Sequence, residues 1–183
     1  MSGETDCTEC LQGSYQHVSG QTSCSTCSGG QYQSEQGQQK CQGCTPGQFQ
    51  VDVNSTGCAQ CPTGYSMKNH GSTLCFPCVP GRYQHQIGQS SCLDCEKHTT
   101  SENSQSETCQ DCPLGKLADQ KGSTSCTNCA SGFYGSRWGE CTKCPSGKIR
   151  ADFHSTTKCV KCNDVGKRPN DRQTSCESPS CKQ

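Results

Sequence analysis

The sequence has few apolar residues with which to build a core. Only 28% of its 183 residues are hydrophobic, and that fraction includes 22 cysteines. So little apolar area cannot offset the conformational entropy of an ordered chain, which excludes an ordinary globular domain. Chains of this kind need covalent cross-links, and cysteine at this frequency predicts disulfides in an oxidising compartment.

Net charge and long apolar runs are also lacking. The 16 basic residues balance the 16 acidic ones and no run of Lys or Arg occurs, so nucleic acid and anionic membranes are not expected partners. No stretch approaches the ~18 apolar residues that span a bilayer. Residues 1–6 have neither the basic head nor the apolar centre of a signal peptide. If the protein is secreted, we expect this chain to be a mature, trimmed or partial form.

Helical periodicity is missing as well. Apolar residues do not recur at i, i+3, i+4 and i+7, and Gly or Pro interrupts every window of helical length. Instead, a Cys-x-x-Cys pair returns every 17 residues through the first eight pairs, and then after 15 and 18 residues. The pairs are Cys7/Cys10, Cys24/Cys27, Cys41/Cys44, Cys58/Cys61, Cys75/Cys78, Cys92/Cys95, Cys109/Cys112, Cys126/Cys129, Cys141/Cys144 and Cys159/Cys162, followed by Cys176 and Cys181. Such a period predicts a repeat architecture.

Each interval between pairs has a constant internal pattern. Counting from the second cysteine of a pair, glycine recurs at +3 and +10, and an aromatic residue recurs at +5. The +5 residues are Tyr15, Tyr32, Phe49, Tyr83 and Tyr134, with Leu117 and Ile149 as aliphatic substitutes. Asn54 replaces glycine at +10 in the third interval, and asparagine tolerates a left-handed backbone, so we expect φ > 0 at +10. The pattern predicts a short, irregular β-hairpin in each interval.

The pattern weakens in several places, including the sixth and eighth intervals. The sixth interval, residues 96–108, lacks the glycine and the aromatic residue and is polar, so we expect it to be the most mobile. The eighth, residues 130–140, is two residues short and contains the only tryptophan, Trp138. Because no linker interrupts the series, we predict one continuous array over 1–183, with regular units at 7–129 and variant units at 130–183.

Repeated Cys-x-x-Cys pairs have three chemical interpretations. A redox dithiol needs a helix N-terminus to lower the thiolate pKa, and no helix is predicted. Four thiolates from two successive pairs have the spacing of a zinc site, but that arrangement has a period of 34 rather than the observed 17. Structural disulfides are therefore favoured, with zinc as the alternative, and no cofactor or metal is predicted for the disulfide-bonded form.

Two disulfide schemes fit the sequence. One scheme interlocks neighbouring pairs, Cys7–Cys24 with Cys10–Cys27 and so on, and needs a period of 34. The observed period of 17 therefore favours the other scheme, which we call the first scheme. The first joins the second cysteine of each pair to the first of the next: Cys10–Cys24, Cys27–Cys41, Cys44–Cys58, Cys61–Cys75, Cys78–Cys92, Cys95–Cys109, Cys112–Cys126, Cys129–Cys141, Cys144–Cys159 and Cys162–Cys176. It leaves Cys7 and Cys181 over, either as intermolecular bridges of a head-to-tail filament or as cut ends of a longer array.

The segment from Cys75 to Cys92 carries a family resemblance. It reads Cys-x2-Cys-x2-Gly-x-Tyr-x4-Gly-x3-Cys and resembles the ephrin-receptor-like cysteine-rich repeat. It is also similar to the first submodule of tumour necrosis factor receptor cysteine-rich domains. The resemblance covers nearly the whole chain and implies the first disulfide scheme, an aromatic side chain over each bridge and an extracellular location. It does not choose between spacers, stalks and ligand-binding surfaces.

Other candidate sites are few. Asn54-Ser55-Thr56 is an N-glycosylation sequon, which only a secretory pathway would modify; a plain turn asparagine is the alternative. Trp138 beside Arg137 is a candidate contact residue, and the alternative is a tryptophan that covers a disulfide. The sequence shows no catalytic triad, phosphate-binding loop, calcium loop or carboxylate pair, so we do not expect an enzyme.

These observations predict a small disulfide-rich fold. We expect an elongated, solenoid-like rod of about ten 17-residue β-hairpin repeats, with little regular secondary structure and no global core. The predicted function is an extracellular, secreted or cell-surface structural protein: a filament or coat subunit or a stalk, joined head to tail. A ligand-binding segment of a receptor-like ectodomain is the first alternative, and a multi-zinc protein the second. Expected partners are further copies of the chain or other extracellular proteins, with glycans as a further candidate.

Overall fold

The structure, a computed structural model, describes residues 8–135, 140–150, 158–162 and 168–177. Within these ranges, regular structure consists of twenty short strands that pair in sequence order as ten antiparallel hairpins. The strands are β1 (Ser14–Tyr15), β2 (Ser25–Thr26), β3 (Gln31–Tyr32), β4 (Gln42–Gly43), β5 (Gln48–Phe49), β6 (Ala59–Gln60), β7 (Tyr65–Ser66), β8 (Phe76–Pro77), β9 (Arg82–Tyr83), β10 (Leu93–Asp94), β11 (Thr99–Thr100), β12 (Gln110–Asp111), β13 (Lys116–Leu117), β14 (Thr127–Asn128), β15 (Phe133–Gly135), β16 (Cys141–Lys143), β17 (Lys148–Ile149), β18 (Val160–Lys161), β19 (Arg168–Pro169) and β20 (Cys176–Glu177). None of these segments is an apolar helix of membrane-spanning length.

Ten disulfides join the second cysteine of each pair to the first cysteine of the next, as in the first pairing scheme. We number the closed segments loop one (Cys10–Cys24) to loop ten (Cys162–Cys176). The sequence separation of the bridged cysteines is 14 in most loops, 12 in loop eight and 15 in loop nine. The prediction of a disulfide-rich fold of about ten hairpin repeats is confirmed.

The loops cluster into two compact units. The first contains Met1–Val79, Tyr83–Leu93 and Ser104–Glu107, and the second contains Pro80–Arg82, Asp94–Asn103 and Thr108–Gln183. The units alternate along the sequence between residues 80 and 107. A tight turn of loop six therefore belongs with loops four and five, while its strands belong with loop seven.

From loop one to loop seven, each loop is tied to the next by the same backbone hydrogen bonds. The amide at +3 donates to the carbonyl at +6 of the next loop, as from Gly30 to Gln50 at 2.7 Å. The amide at +6 donates to the carbonyl at +11 of the next loop, as from Gln33 to Ser55 at 3.0 Å. The amide at +10 donates back to the second cysteine of the preceding loop, as from Asn54 to Cys27 at 2.8 Å. These bonds join equivalent positions in successive loops, which gives a physical reason for the constant period of 17.

Loops one to five and loop eight each contact the second loop after them. The carbonyl oxygen at +10 lies against the Cα of the +3 glycine two loops earlier, so a Cβ at Gly47 would lie 2.6 Å from the carbonyl carbon of Gly88. The same close approach joins Gly30 with Gly71 and Gly81 with Gly122. The +3 glycine also has a positive φ, +84° at Gly47. In these loops glycine at +3 suits both the backbone conformation and this contact.

The +10 position has the left-handed backbone that the sequence predicted. Its glycines have φ between 66° and 80°, and Asn54 has φ 58°. Loop six, expected to be the most mobile, follows the same pattern without glycine. His98 at +3 has φ 71° and Gln105 at +10 has φ 65°, and the amides of both donate the usual hydrogen bonds. The backbone bonds therefore hold loop six in the repeat conformation even though its side chains depart from the pattern.

Burial is local to each loop. The second cysteine of most pairs is buried, and Cys27, Cys44, Cys61, Cys95 and Cys129 are fully so, whereas the first cysteine is exposed or half-buried. Apart from the cysteines, the side chains most often buried are those at +6, namely Gln33, Met67, Gln84, Ser101, Ala118 and Arg150. The described residues thus pack around disulfides and the +6 side chains.

Candidate functional site

The Cys-x-x-Cys pair is the link between two closed loops. Its first cysteine closes one loop, its second opens the next, and one strand of the hairpin runs between them, as β4 does between Cys41 and Cys44. A closed loop of about 15 residues contributes roughly 3 kcal/mol to stability in the chain-entropy account. Because the bridges lie in series, each loop is stabilised separately.

Side chains at +6 form a second cross-link that the sequence analysis missed. The Gln33 amide nitrogen donates to the Lys40 carbonyl at 2.8 Å, and its amide oxygen accepts from the Glu35 backbone N–H at 3.0 Å. Gln16, Gln50 and Gln84 make the equivalent two bonds in their own loops. Each glutamine thus holds together the outward and return halves of its loop. The signal in the sequence was an aromatic residue followed directly by Gln in loops one, two, three and five.

The +5 position lies beside the disulfide of the following loop. In loop four, which has Ser66 at +5, the hydroxyl is 3.3 Å from the Cys92 sulfur. In loop six, Thr100 lies 3.6 Å from the Cys126 sulfur. Where +5 is an aromatic ring, it contacts a histidine two residues on in two loops, and the ring centroids of Tyr83 and His85 are 5.8 Å apart.

Asn54 is the one remaining predicted site residue that the structure describes. Asn54 is exposed at its turn. Cys7, Cys181 and Trp138 lie outside the described residues. The ten disulfides occupy twenty cysteines, and a disulfide sulfur is not a zinc thiolate, so the arrangement does not favour the zinc alternative. No cluster of three metal-binding side chains is present in the described part of the chain.

Two ion pairs are present among the described residues. Arg82 Nε lies 2.7 Å from Asp94 Oδ1 across the β9–β10 hairpin. Lys121 Nζ lies 2.8 Å from Glu96 Oε1 and joins loop seven to loop six. The hydrogen bond to Glu96, and then its charge, raise the pKa of Lys121. Both pairs are exposed, so each adds little to stability.

The geometry agrees with a comparison to known families. The family model described as tyrosine-protein kinase ephrin type A/B receptor-like matches residues 1–37, 30–74 and 64–107. No curated protein matches the chain. The three overlapping matches cover loops one to five and most of loop six, more than half of the 183 residues. The chain therefore belongs to the ephrin type A/B receptor-like family of cysteine-rich repeats.

Proposed function

We propose that this chain is an extracellular spacer, a disulfide-laddered stalk that sets the distance between the segments attached to it. The family and the ten disulfides both indicate an extracellular, receptor-like protein. The observation that carries the stalk role is the uniform coupling of loops one to seven, each to the next, by equivalent backbone hydrogen bonds. Because backbone groups make these bonds, each added repeat extends the array in the same way whatever its side chains. The proposed role involves no catalytic step.

A spacer should shorten by a constant step when whole repeats are removed. Deleting residues 28–44 removes one 17-residue period and leaves Cys27 to pair with Cys58 in the same register. Deleting residues 28–61 removes two periods. We expect small-angle scattering to show maximum dimensions that fall by equal steps in the two variants. A maximum dimension that is insensitive to repeat number would refute the stalk.

Stretching the oxidised protein tests the mechanical part of the proposal. Each bridge bypasses its loop, because its Cα atoms lie 5.7 Å apart while the enclosed chain spans 14 residue steps. Reduction should therefore release roughly 40 Å per loop, since an extended residue spans ~3.5 Å. Single-molecule force spectroscopy with and without reductant measures this length. Release of ~40 Å steps from the oxidised protein would contradict the laddered arrangement.

Covalent head-to-tail joining is the finer form of this proposal. Twenty of the 22 cysteines are bridged within the chain, and the other two are Cys7 and Cys181. We expect a ladder on non-reducing gels that collapses with reductant and is lost in both Cys7→Ser and Cys181→Ser. A single monomer band from the native source would eliminate covalent joining and leave the stalk unaffected.

A ligand-binding ectodomain segment is the second candidate, and the receptor-like family favours it. Loops four and five expose large apolar side chains at equivalent link positions, Phe76 at 60% and Leu93 at 43%. Replacing both by serine should abolish binding of an extracellular protein partner to cells displaying the chain, while the spacing steps above stay unchanged. If the chain is only a spacer, the two serine substitutions should leave cell-surface binding unchanged, whereas deletion of repeats should shorten the protein.

A further inference from the structure

Loop nine and its links hold a concentration of positive charge that the neutral composition of the whole chain hides. From Cys141 to Cys162 the sequence has five basic residues and one acidic residue, a net charge of +4 in a chain of net charge zero. The basic residues are Lys143, Lys148, Arg150, Lys158 and Lys161, and the acidic one is Asp152. This local excess indicates an anionic partner.

Two of these lysines stand directly opposite one another. Lys148 and Lys161 are cross-strand partners in the β17–β18 hairpin. Side chains of such partners lie on one face, and like charges there repel. Neither lysine has an ion-pair partner among the described residues. An anion held between the two ammonium groups would relieve the repulsion.

Equivalent positions in other hairpins show that the arrangement is particular to loop nine. Loop five has Arg82 and Asp94 there, which form an ion pair, and loop seven pairs Lys116 with the neutral Asn128. Loop ten pairs a basic with an acidic residue, Arg168 with Glu177. Among the described hairpins, only β17–β18 places two cations opposite each other. The repeat architecture alone therefore does not require two lysines at this place.

Arg150 adds a third positive charge close by in the chain. It occupies the buried +6 position with 4% exposure, and one guanidinium nitrogen donates to the Phe133 carbonyl. Its Nε is buried without a hydrogen-bond partner, and no described carboxylate pairs with it. This fixed charge strengthens the positive potential of loop nine.

We propose that the β17–β18 hairpin binds a sulfated polysaccharide. The disulfides and the family indicate an extracellular protein, and sulfated polysaccharides are polyanions of that environment. Lysine ammonium groups are point charges on flexible stems, which suits sulfates of irregular spacing better than a planar group requiring one fork geometry. Binding would release counterions and weaken with salt. This site is independent of the spacer function.

Heparin is the probe, measured by titration calorimetry with the disulfide-intact chain across a series of NaCl concentrations. We expect binding at ~0.15 M salt and none to fully desulfated heparin. The double variant Lys148→Gln with Lys161→Gln should bind roughly tenfold more weakly and show a shallower dependence of log affinity on log salt. Lys116→Gln is the matched control at the same repeat position, and it should change affinity by less than about twofold.

A second variant separates lost binding from lost folding. Lys161→Asp reproduces the charge arrangement of Arg82 and Asp94 in loop five, so the chain should keep its ten disulfides and its thermal midpoint while heparin binding is lost. Absence of heparin binding by the unaltered chain, or equal weakening by Lys116→Gln, would overturn the proposal. Tighter binding of duplex DNA than of heparin, or a lysine-dependent self-association in place of heparin binding, would also overturn it.

Discussion

Gly47→Ala tests the packing of each loop against the second loop after it. Gly47 occupies +3 in loop three with φ +84°, and its added Cβ would lie 2.6 Å from the Gly88 carbonyl carbon and closer still to the oxygen. Two penalties are therefore expected. The left-handed backbone costs a non-glycine residue about 1–2 kcal/mol. Overpacking against a backbone carbonyl adds about 1–3 kcal/mol, because the neighbouring loop must move.

Gly147→Ala is the matched control. Gly147 is the +3 glycine of loop nine and has φ +85°, but no described atom lies within 4 Å of its ideal Cβ. It should suffer the backbone penalty without the steric one. The difference between the two variants isolates the contact between Gly47 and loop five.

Residue-by-residue hydrogen exchange is the suitable assay, because stability in a repeat array is local. The reporting amide for Gly47→Ala is Gly88, which donates to the Cys61 carbonyl at 2.8 Å. For Gly147→Ala it is Lys148, which donates to Pro145 at 3.1 Å. We expect exchange about tenfold faster in the control and faster by a further tenfold or more in Gly47→Ala. Equal acceleration in both would refute the packing of loops three and five.

Three further predictions follow from the loop geometry. Gln33→Ala should destabilise loop two by about 2 kcal/mol, because two part-buried hydrogen bonds and the packing of the side chain are lost. Gln33→Met, the residue found at +6 in loop four, keeps most of the packing but loses both hydrogen bonds, so it should cost less than alanine and still about 1 kcal/mol. Local hydrogen exchange measures both, and a methionine variant as stable as the unaltered chain would contradict a bridging role. Replacing Cys44 and Cys58 together by serine should lower the stability of loop three by roughly 3 kcal/mol and leave exchange in loop nine unchanged, whereas a global loss would contradict local stabilisation. In a secretory host, Thr56→Ser should retain an N-linked glycan on Asn54 and Thr56→Ala should lose it. Asn54→Gly should lose the glycan without destabilising the turn, because glycine adopts the same positive φ. Identical intact masses for the unaltered chain and Thr56→Ala, corrected for the substitution, would show that Asn54 is not modified.

Much of the local structure was predictable because it depends on short-range chemistry. The left-handed backbone at +10 followed from glycine and from Asn54, since few other residues adopt it without cost. The hairpins followed from the spacing of turns and aromatic residues. Loop six was expected to be the most mobile from its side chains alone; its backbone makes the same hydrogen bonds as its neighbours without glycine at +3 or +10, and its mobility stays a prediction.

The candidate sites were less accessible to prediction. The glutamines at +6 were visible in the sequence, but their burial depends on the return half of the loop folding over them. Lys148 and Lys161 are 13 residues apart in the sequence, and their cross-strand pairing is seen only in the register of β17 with β18. Composition gave no hint of it, since the chain is neutral overall.

The sequence by itself determined the repeat, its period, the need for disulfides and the two plausible ways to pair them, because these depend on residue type and spacing. Tertiary structure decided what the +3 glycine is for. Its conformation could be inferred, but the carbonyl that occupies its Cβ position, as Gly88 does at Gly47, comes from two loops away. Such a contact arises only when three consecutive loops stack, and a pattern read one interval at a time does not contain it.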